Sequence, residues 1–184
     1  MTVKTKPDRA FQPLSIAVAT VSDRHTSASD STGDWLCQQL TAAGHKLSER
    51  RILATNTYTI RAQLSAWIAD SVTQVVLLNG GTGFAANNSV PEAISPLFDR
   101  PVEGFGELFR QLSLADIGSS AIQSRALAGI ANGTLIFAMP GSGGAAALAW
   151  NQLIKPQLDS RQGPCNFVAH VKNGADLSCG ESTL

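Results

Sequence analysis

The run from Leu77 to Ile94 joins an apolar stretch to a helix start through Gly80, Gly81, Thr82 and Gly83. Glycines at these positions can take positive φ, letting successive N–H groups turn inward around an anion, and Thr82 adds a hydroxyl donor. An ordinary glycine turn between strand and helix has the same composition, so the loop alone leaves both readings open. Midway along it, where an acid would manage a metal or a proton, stand Asn87 and Asn88.

A second candidate is Pro140-Gly141-Ser142-Gly143-Gly144. Gly141, Gly143 and Ala146 loosely echo GxGxxA after a strand, and the helix start behind them can bind phosphate. A dinucleotide fold also needs a second βα unit and an acid about 20 residues on. Only one helix and a tail remain here, with Asp159 at the helix's far end, so a nicotinamide enzyme is set aside. No GxxxxGK[ST] occurs, which excludes a P-loop nucleotidase. In the run Thr20 to Arg24, Arg24 could clamp a phosphate and Asp23 could read a polar ligand group, though an exposed ion pair explains both. Cys37, Cys165 and Cys179 lack CxxC spacing, and His25, His45 and His170 form no ligand set with them, so no metal site is expected. Cys37 falls inside an amphipathic helix as packing. Arg125 stands among small apolar residues, as a ligand contact or a subunit salt bridge.

These loops need elements to position them. The chain has 184 residues, 43% hydrophobic and 15% charged, which suits one α/β domain with a substantial core. Fourteen basic residues balance fourteen acidic ones, so no global field recruits nucleic acid or a membrane surface. No apolar run approaches the roughly 18 residues that span a bilayer, and the first residues lack a signal-peptide h-region. A cytoplasmic protein is the expectation.

Residues 1–13 read as a flexible arm, 14–174 as the domain and 175–184 as a flexible tail. Strands are expected at 15–20, 46–53, 74–79 and 134–140, with the second nearer an edge and the third central. Helices are expected at 32–43, at the segment bearing Ile60, Leu64, Trp67 and Ile68, from about 90 to 99, at 107–113, at 121–130 and at the closing stretch to Leu158. Pro96 is expected to kink or shorten the third of these. Alternation of this kind predicts a mostly parallel sheet with helices on both faces. Ligands of such sheets sit outside the strands' carboxyl ends, where four polar or glycine-rich loops converge.

The ordered set Thr20–Arg24, Gly80–Gly83, Pro91–Ala93, Pro101–Arg110, Gln123–Ile130 and Met139–Ser142 resembles the molybdopterin-binding family of molybdenum cofactor biosynthesis. The similarity spans about residues 15–158 and is strongest to the bacterial biosynthesis protein B subgroup. It implies a three-layer αβα fold, assembly as trimers or hexamers, and molybdopterin as ligand. Active relatives adenylylate molybdopterin with Mg-ATP. By family position, Gly80, Gly81, Thr82, Gly83, Pro140, Gly141 and Ser142 would cradle the pterin and its phosphate, with Ser22 and Asp23 nearby.

In active members two Asp residues stand where this chain has Asn56 and Asn88. An Asn oxygen can coordinate Mg²⁺ but brings no negative charge to retain it. Only Glu92 offers a nearby carboxylate in rescue, and an acid stabilising its helix's first turn explains it as well. Three functions stay open: a molybdopterin-binding biosynthesis protein with weak or absent adenylyl transfer, a working adenylyltransferase using other groups, and an oligomeric interaction protein with a vestigial pterin site. No tightly bound cofactor is expected, with Mg and ATP involved only if transfer survives. Other cofactor-biosynthesis proteins are the expected partners.

Overall fold

The computed structural model describes residues 9–173. Six strands form one sheet in the order β2-β1-β3-β6-β5-β4. β1 (Ser15–Val21), β2 (Lys46–Leu53), β3 (Val75–Asn79) and β6 (Thr134–Met139) are mutually parallel, while β5 (Leu127–Ala131) runs against both β6 and the short β4 (Arg100–Pro101). β2 lies at an edge and β3 is interior, as the polar and apolar sequences of the two strands predict.

Period-two alternation sends each strand's side chains to two separate cores. Ile16, Val18, Leu77 and Phe137 face one layer, made by α1 (Ser31–Ala42), α4 (Glu103–Ile117) and the closing helical stretch. Ala17, Ala19, Leu78 and Ile136 face the other, made by α2 (Thr57–Ala69) and α3 (Val90–Ile94). The result is a three-layer αβα domain. The closing stretch is α5 (Gly143–Leu148), a π-helical turn over Ala149–Ile154 and α6 (Lys155–Gln157). Trp150, Ile154 and Leu158 are fully buried there, whereas Leu153 is only partly so.

Two expectations fail, both for reasons of close packing. Residues 121–130 are not a helix: a 3₁₀ turn over Gly118–Gln123 leads into β5. α3's extension lies on β5, where a Cβ at Gly129 would stand 2.3 Å from Phe98 Cγ. Asn132 and Gly133, at φ +46° and +69°, then close the hairpin to β6. The helix expected over 107–113 instead runs from Glu103 to Ile117. Gly104 and Gly106 read as breakers, yet both lie inside it. A Cβ at Gly106 would meet Ala126 O at 2.6 Å, so this glycine permits close contact with the chain leading into β5. α3 ends at Ile94, and Ser95–Leu97 continue as a 3₁₀ turn around Pro96.

Of the arm expected over 1–13, residues 9–13 are described: Phe11 packs on His45, and Gln12 N–H donates to Ser160 Oγ at 2.9 Å. The tail expected over 175–184 lies outside the described residues.

His45 is buried at the amino end of β1, where its Nδ1 accepts the Leu14 N–H at 3.2 Å. Burial depresses its pKa from 6.5 to about 4, partly offset by Asp159. Protonating Nδ1 would set two donors against each other. The folded pKa is the lower one, so the neutral ring's contribution is complete above pH 6.5 and is lost as pH falls toward 4. We expect the urea midpoint to fall through that window by the equivalent of about 2–3 kcal/mol. A His45→Gln variant should lack this component, and an identical pH profile in the two proteins would refute the assignment.

Candidate functional site at the strand carboxyl ends

Because β2, β1, β3 and β6 are adjacent and parallel, the loops that leave them gather on one edge of the sheet. After β1, Ser22 is held by its N–H to Leu53 O at 2.9 Å, and its Oγ accepts the N–H groups of Arg24 and His25 at 3.1 and 3.2 Å. Asp23 accepts the Thr55 N–H at 2.9 Å and the Thr55 hydroxyl, which fastens the first loop to the second. Those two bonds hold its carboxyl below the ordinary aspartate range.

Asn56 is the N-cap of α2. Its Oδ1 accepts the N–H groups of Tyr58 and Thr59 at 2.9 and 3.0 Å. Asn and Asp cap helices about equally well, so the amide keeps the helix start. What it lacks is the negative charge and second oxygen of a carboxylate. Its Nδ2 is a donor, fit for a phosphate oxygen and unfit for a cation.

Gly80 and Gly81 take φ +91° and +66°, as expected, but Gly83 is outside the positive range. A Cβ at Gly80 would lie 2.6 Å from Val21 O, and one at Gly81 would lie 2.6 Å from Val90 Cγ2. The Gly80 N–H is already given to Met139 O at 3.0 Å, so it is not one of the donors left for an anion. Thr82 is buried. Pro140, Gly141 and Ser142 turn beside this loop: a Cβ at Gly141 would stand 3.1 Å from Gly80 Cα. Thr32 from α1 donates its hydroxyl to Gly141 O at 3.2 Å. Ser142 caps α5 by accepting the Ala145 N–H at 3.3 Å. The glycine loop and this turn therefore meet, and on the neighbouring strands Asp23 is bonded to Thr55, the residue before Asn56.

Arg125 now has a role that neither earlier alternative described. Its Nη2 donates to Gly83 O and Asn88 O, both at 2.6 Å, and its Nε donates to Gly83 O at 3.1 Å and Thr82 O at 3.3 Å. Nη1 pairs with Glu92, and the guanidinium lies 5.0 Å from the Phe84 ring centroid. One side chain thus clamps both ends of the segment 83–88. Burial pushes the Glu92 carboxyl up, but its backbone N–H and Arg125 outweigh that and hold it below its ordinary value. Glu92 is thus part of the clamp.

A second network underlies the loops. Asp30, 1% exposed, caps α1 through Gly33 N–H at 3.0 Å and accepts the Thr20 hydroxyl at 2.6 Å and Arg50 Nη2 at 3.1 Å. Thr20 in turn accepts Asn79 Nδ2 at 2.9 Å, at the residue preceding Gly80. Burial raises the Asp30 pKa, and the hydrogen bonds from Thr20, Gly33 and Arg50 with Arg50's charge more than reverse this. The carboxylate ties Thr20, near the end of β1, to Arg50 within β2 and, through Thr20, to Asn79 at the end of β3. Aspartate just ahead of an amphipathic run is an N-cap signal, so its helix role was readable in sequence. Its tie to β2 and β3 was not.

Mg²⁺ favours anionic oxygens in octahedral array. The oxygens near the loops do not fit it: Asn56 Oδ1 caps a helix, Asp23 is bonded to Thr55 and Glu92 to Arg125. Among the described residues, no three His, Cys, Asp or Glu side chains gather as a metal site. No helix among them is long and apolar enough to cross a membrane.

Fold and loops together define a class: a three-layer α/β domain whose glycine-rich turns meet at the carboxyl ends of parallel strands. A family model described as a probable molybdopterin binding domain matches residues 17–160. Molybdenum cofactor biosynthesis protein B of Escherichia coli (strain K12) is 54% identical over 162 residues, covering 88% of this chain and 95% of that protein. Its counterpart in Bacillus subtilis (strain 168) is 42% identical over 159 residues, covering 86% and 94%. A crystal structure of a molybdenum cofactor biosynthesis protein B matches with TM-score 0.79 and 41% identity, over 82% of this chain and 94% of that one. The tungsten cofactor synthesizing protein MoaB from Pyrococcus furiosus matches with TM-score 0.68 and 28% identity, over 76% and 89%. The chain belongs to the molybdenum cofactor biosynthesis protein B family.

Proposed function

We propose that this protein binds molybdopterin at the loops around Gly80–Gly83 and Pro140–Ser142 and acts in molybdenum cofactor biosynthesis with weak or absent adenylyl transfer. The observation that carries the second half is Asn56: its oxygen is spent on the α2 N-cap, and an amide donor takes the place of a second carboxylate oxygen. Nδ2 of Asn56 suits an anionic phosphate, while nothing beside it would retain Mg²⁺. Adenylyl transfer must bring two anionic phosphates together, and positioned cations normally offset that repulsion. The chain's own residues supply a shaped, fixed loop and polar donors, which serve binding.

Two other readings are weighed against this one. An active adenylyltransferase needs replacement carboxylates, and Asp23 and Glu92 are both engaged elsewhere. A vestigial site would tolerate drift in the loop, yet the glycine positions that would clash as alanine are kept, and the Arg125 clamp is complete. ATP or another nucleotide beside the pterin, other cofactor-biosynthesis proteins as partners, self-association to trimer or hexamer and a cytoplasmic setting belong to the same reading.

The test is a fluorescence titration with molybdopterin, with and without Mg-ATP, alongside a pyrophosphate-release assay. Saturable binding with little pyrophosphate is expected. No binding overturns the reading, and rapid pyrophosphate release with binding moves the choice to the active enzyme.

A further inference from the structure

At the amino end of the sheet, opposite the loops described above, a cavity of about 230 Å³ opens between Phe11, the turn after α1 and the stretch from α6 to Arg161. His45 lines it and is only 5% exposed. Because Nδ1 accepts the Leu14 N–H, the neutral ring carries its proton on Nε2, and Nε2 has no acceptor among the described residues. A buried donor of this kind has to be answered by an oxygen. Lys155 reaches the same cavity from α6, and its ammonium is likewise unspent among the described residues. Arg161 keeps Nη1 in reserve, since its Nε and Nη2 are bonded to Asp159 at 2.9 and 2.8 Å. We propose that this cavity binds a tetrahedral oxyanion, a phosphate or sulfate group, through His45 Nε2, Lys155 Nζ and Arg161 Nη1.

Charge and size both select the occupant. Lys155 and Arg161 set two positive charges against the single carboxylate of Asp159, and the Arg161 hydrogen bonds hold that carboxyl below the ordinary aspartate range. The cavity also borders the carboxyl end of α1, whose dipole disfavours an anion. That end is capped: the carbonyls of Gln39, Leu40 and Thr41 accept the N–H groups of Ala43, His45 and Gly44 at 3.0, 3.0 and 2.9 Å. A cation would meet three groups that only donate. Phe11 fixes two of the donors, with its ring 5.2 Å from the His45 ring and 5.2 Å from the Arg161 guanidinium. Pockets for drug-sized ligands begin at roughly 300 Å³, so this one suits a compact anion with its nearest waters. The seven residues of β1, at about 3.3 Å each, put it roughly 20 Å from the loops at the carboxyl ends, so the two sites are distinct. Free phosphate and the phosphate of a small ester share this chemistry.

The experiment is a calorimetric titration of the whole protein with sulfate, phosphate and glycerol phosphate, at neutral pH and with ionic strength held constant by chloride. The variants are Lys155→Met, His45→Gln and Asp159→Asn, with thermal unfolding as a control. Lys155 is exposed, so its variant carries the test even if His45→Gln folds poorly. Sulfate affinity should fall at least about fivefold in Lys155→Met and in His45→Gln, each of which removes a donor to a charged group. It should rise in Asp159→Asn, which deletes the opposing charge while its amide oxygen can still accept the Arg161 N–H. A gain of this sign is not expected of a residue that serves the fold alone. Glycerol phosphate binding at least as tightly as phosphate would assign the site to a phosphorylated small molecule, and weaker binding would assign it to the free ion. Both outcomes support the oxyanion site. Absence of saturable binding by all three anions overturns it, as does binding that Lys155→Met and Asp159→Asn leave unchanged.

Discussion

An Arg125→Met variant should lose about 2–4 kcal/mol of folding stability and at least tenfold in molybdopterin affinity. Hydrogen bonds to a charged group contribute about 1.5–3 kcal/mol each, and the freed carbonyls can recover part of that from water. Arg125 spends its guanidinium on three carbonyls, of Thr82, Gly83 and Asn88, and on Glu92. Without it, the loop keeps the local Asn88 N–H to Ala85 O bond at 2.8 Å and the Val90 N–H to Gly81 O bond at 3.1 Å at its base, and the segment between Gly83 and Asn88 loses its side-chain tie. A loop free to sample other shapes must be ordered by its ligand, which lowers affinity. Arg125→Lys should restore little, because an ammonium cannot span the same carbonyls with a planar fork. Glu92→Gln should have a small effect, since Glu92's side chain is 57% exposed and surface pairs contribute little. Urea titration and ligand titration read these separately. A Met variant that binds as wild type does would show that the clamp serves the fold alone.

The parallel half of the molecule was legible in the sequence because its signals are local. β1 and β3 are continuous apolar runs, and Ile60, Leu64 and Trp67 repeat at helical spacing onto one face. The antiparallel half was not. Gly106 and Gly129 look like breakers until the atoms opposite them are known, and those atoms belong to residues far along the chain. One miss did have a local sign: Asn132-Gly133 between apolar runs is a strong hairpin signal, and it marks β5 as a strand. The candidate site divides the same way. Its glycine turns are visible as residue types at strand ends. The Arg125 clamp joins residues more than thirty positions apart, and the Asp30 network joins three strands, so neither has a spacing to detect.

Restoring the two acids should reveal what the loops still hold. An Asn56→Asp/Asn88→Asp double variant is expected to raise pyrophosphate release from molybdopterin and Mg-ATP about a hundredfold over the parent. Loss of one contact of this kind typically costs about 3 kcal/mol in transition-state stabilisation. The two positions would share one cation, so their effects need not add, and each single variant should recover much less than the pair. The fold should survive the change. Aspartate caps α2 as well as Asn56 does, and a negative charge at a helix amino end is favourable. At the other position, the backbone oxygen of Asn88 holds Arg125 whatever the side chain is. Binding and chemistry can then be separated: molybdopterin affinity measured without metal should fall, because a carboxylate replaces the Asn56 amide donor, while metal-dependent transfer appears. Equal pyrophosphate release in parent and double variant would mean that the carboxylates were never the missing part. The search would then pass to Asp23, which would have to release Thr55 before it could hold a cation.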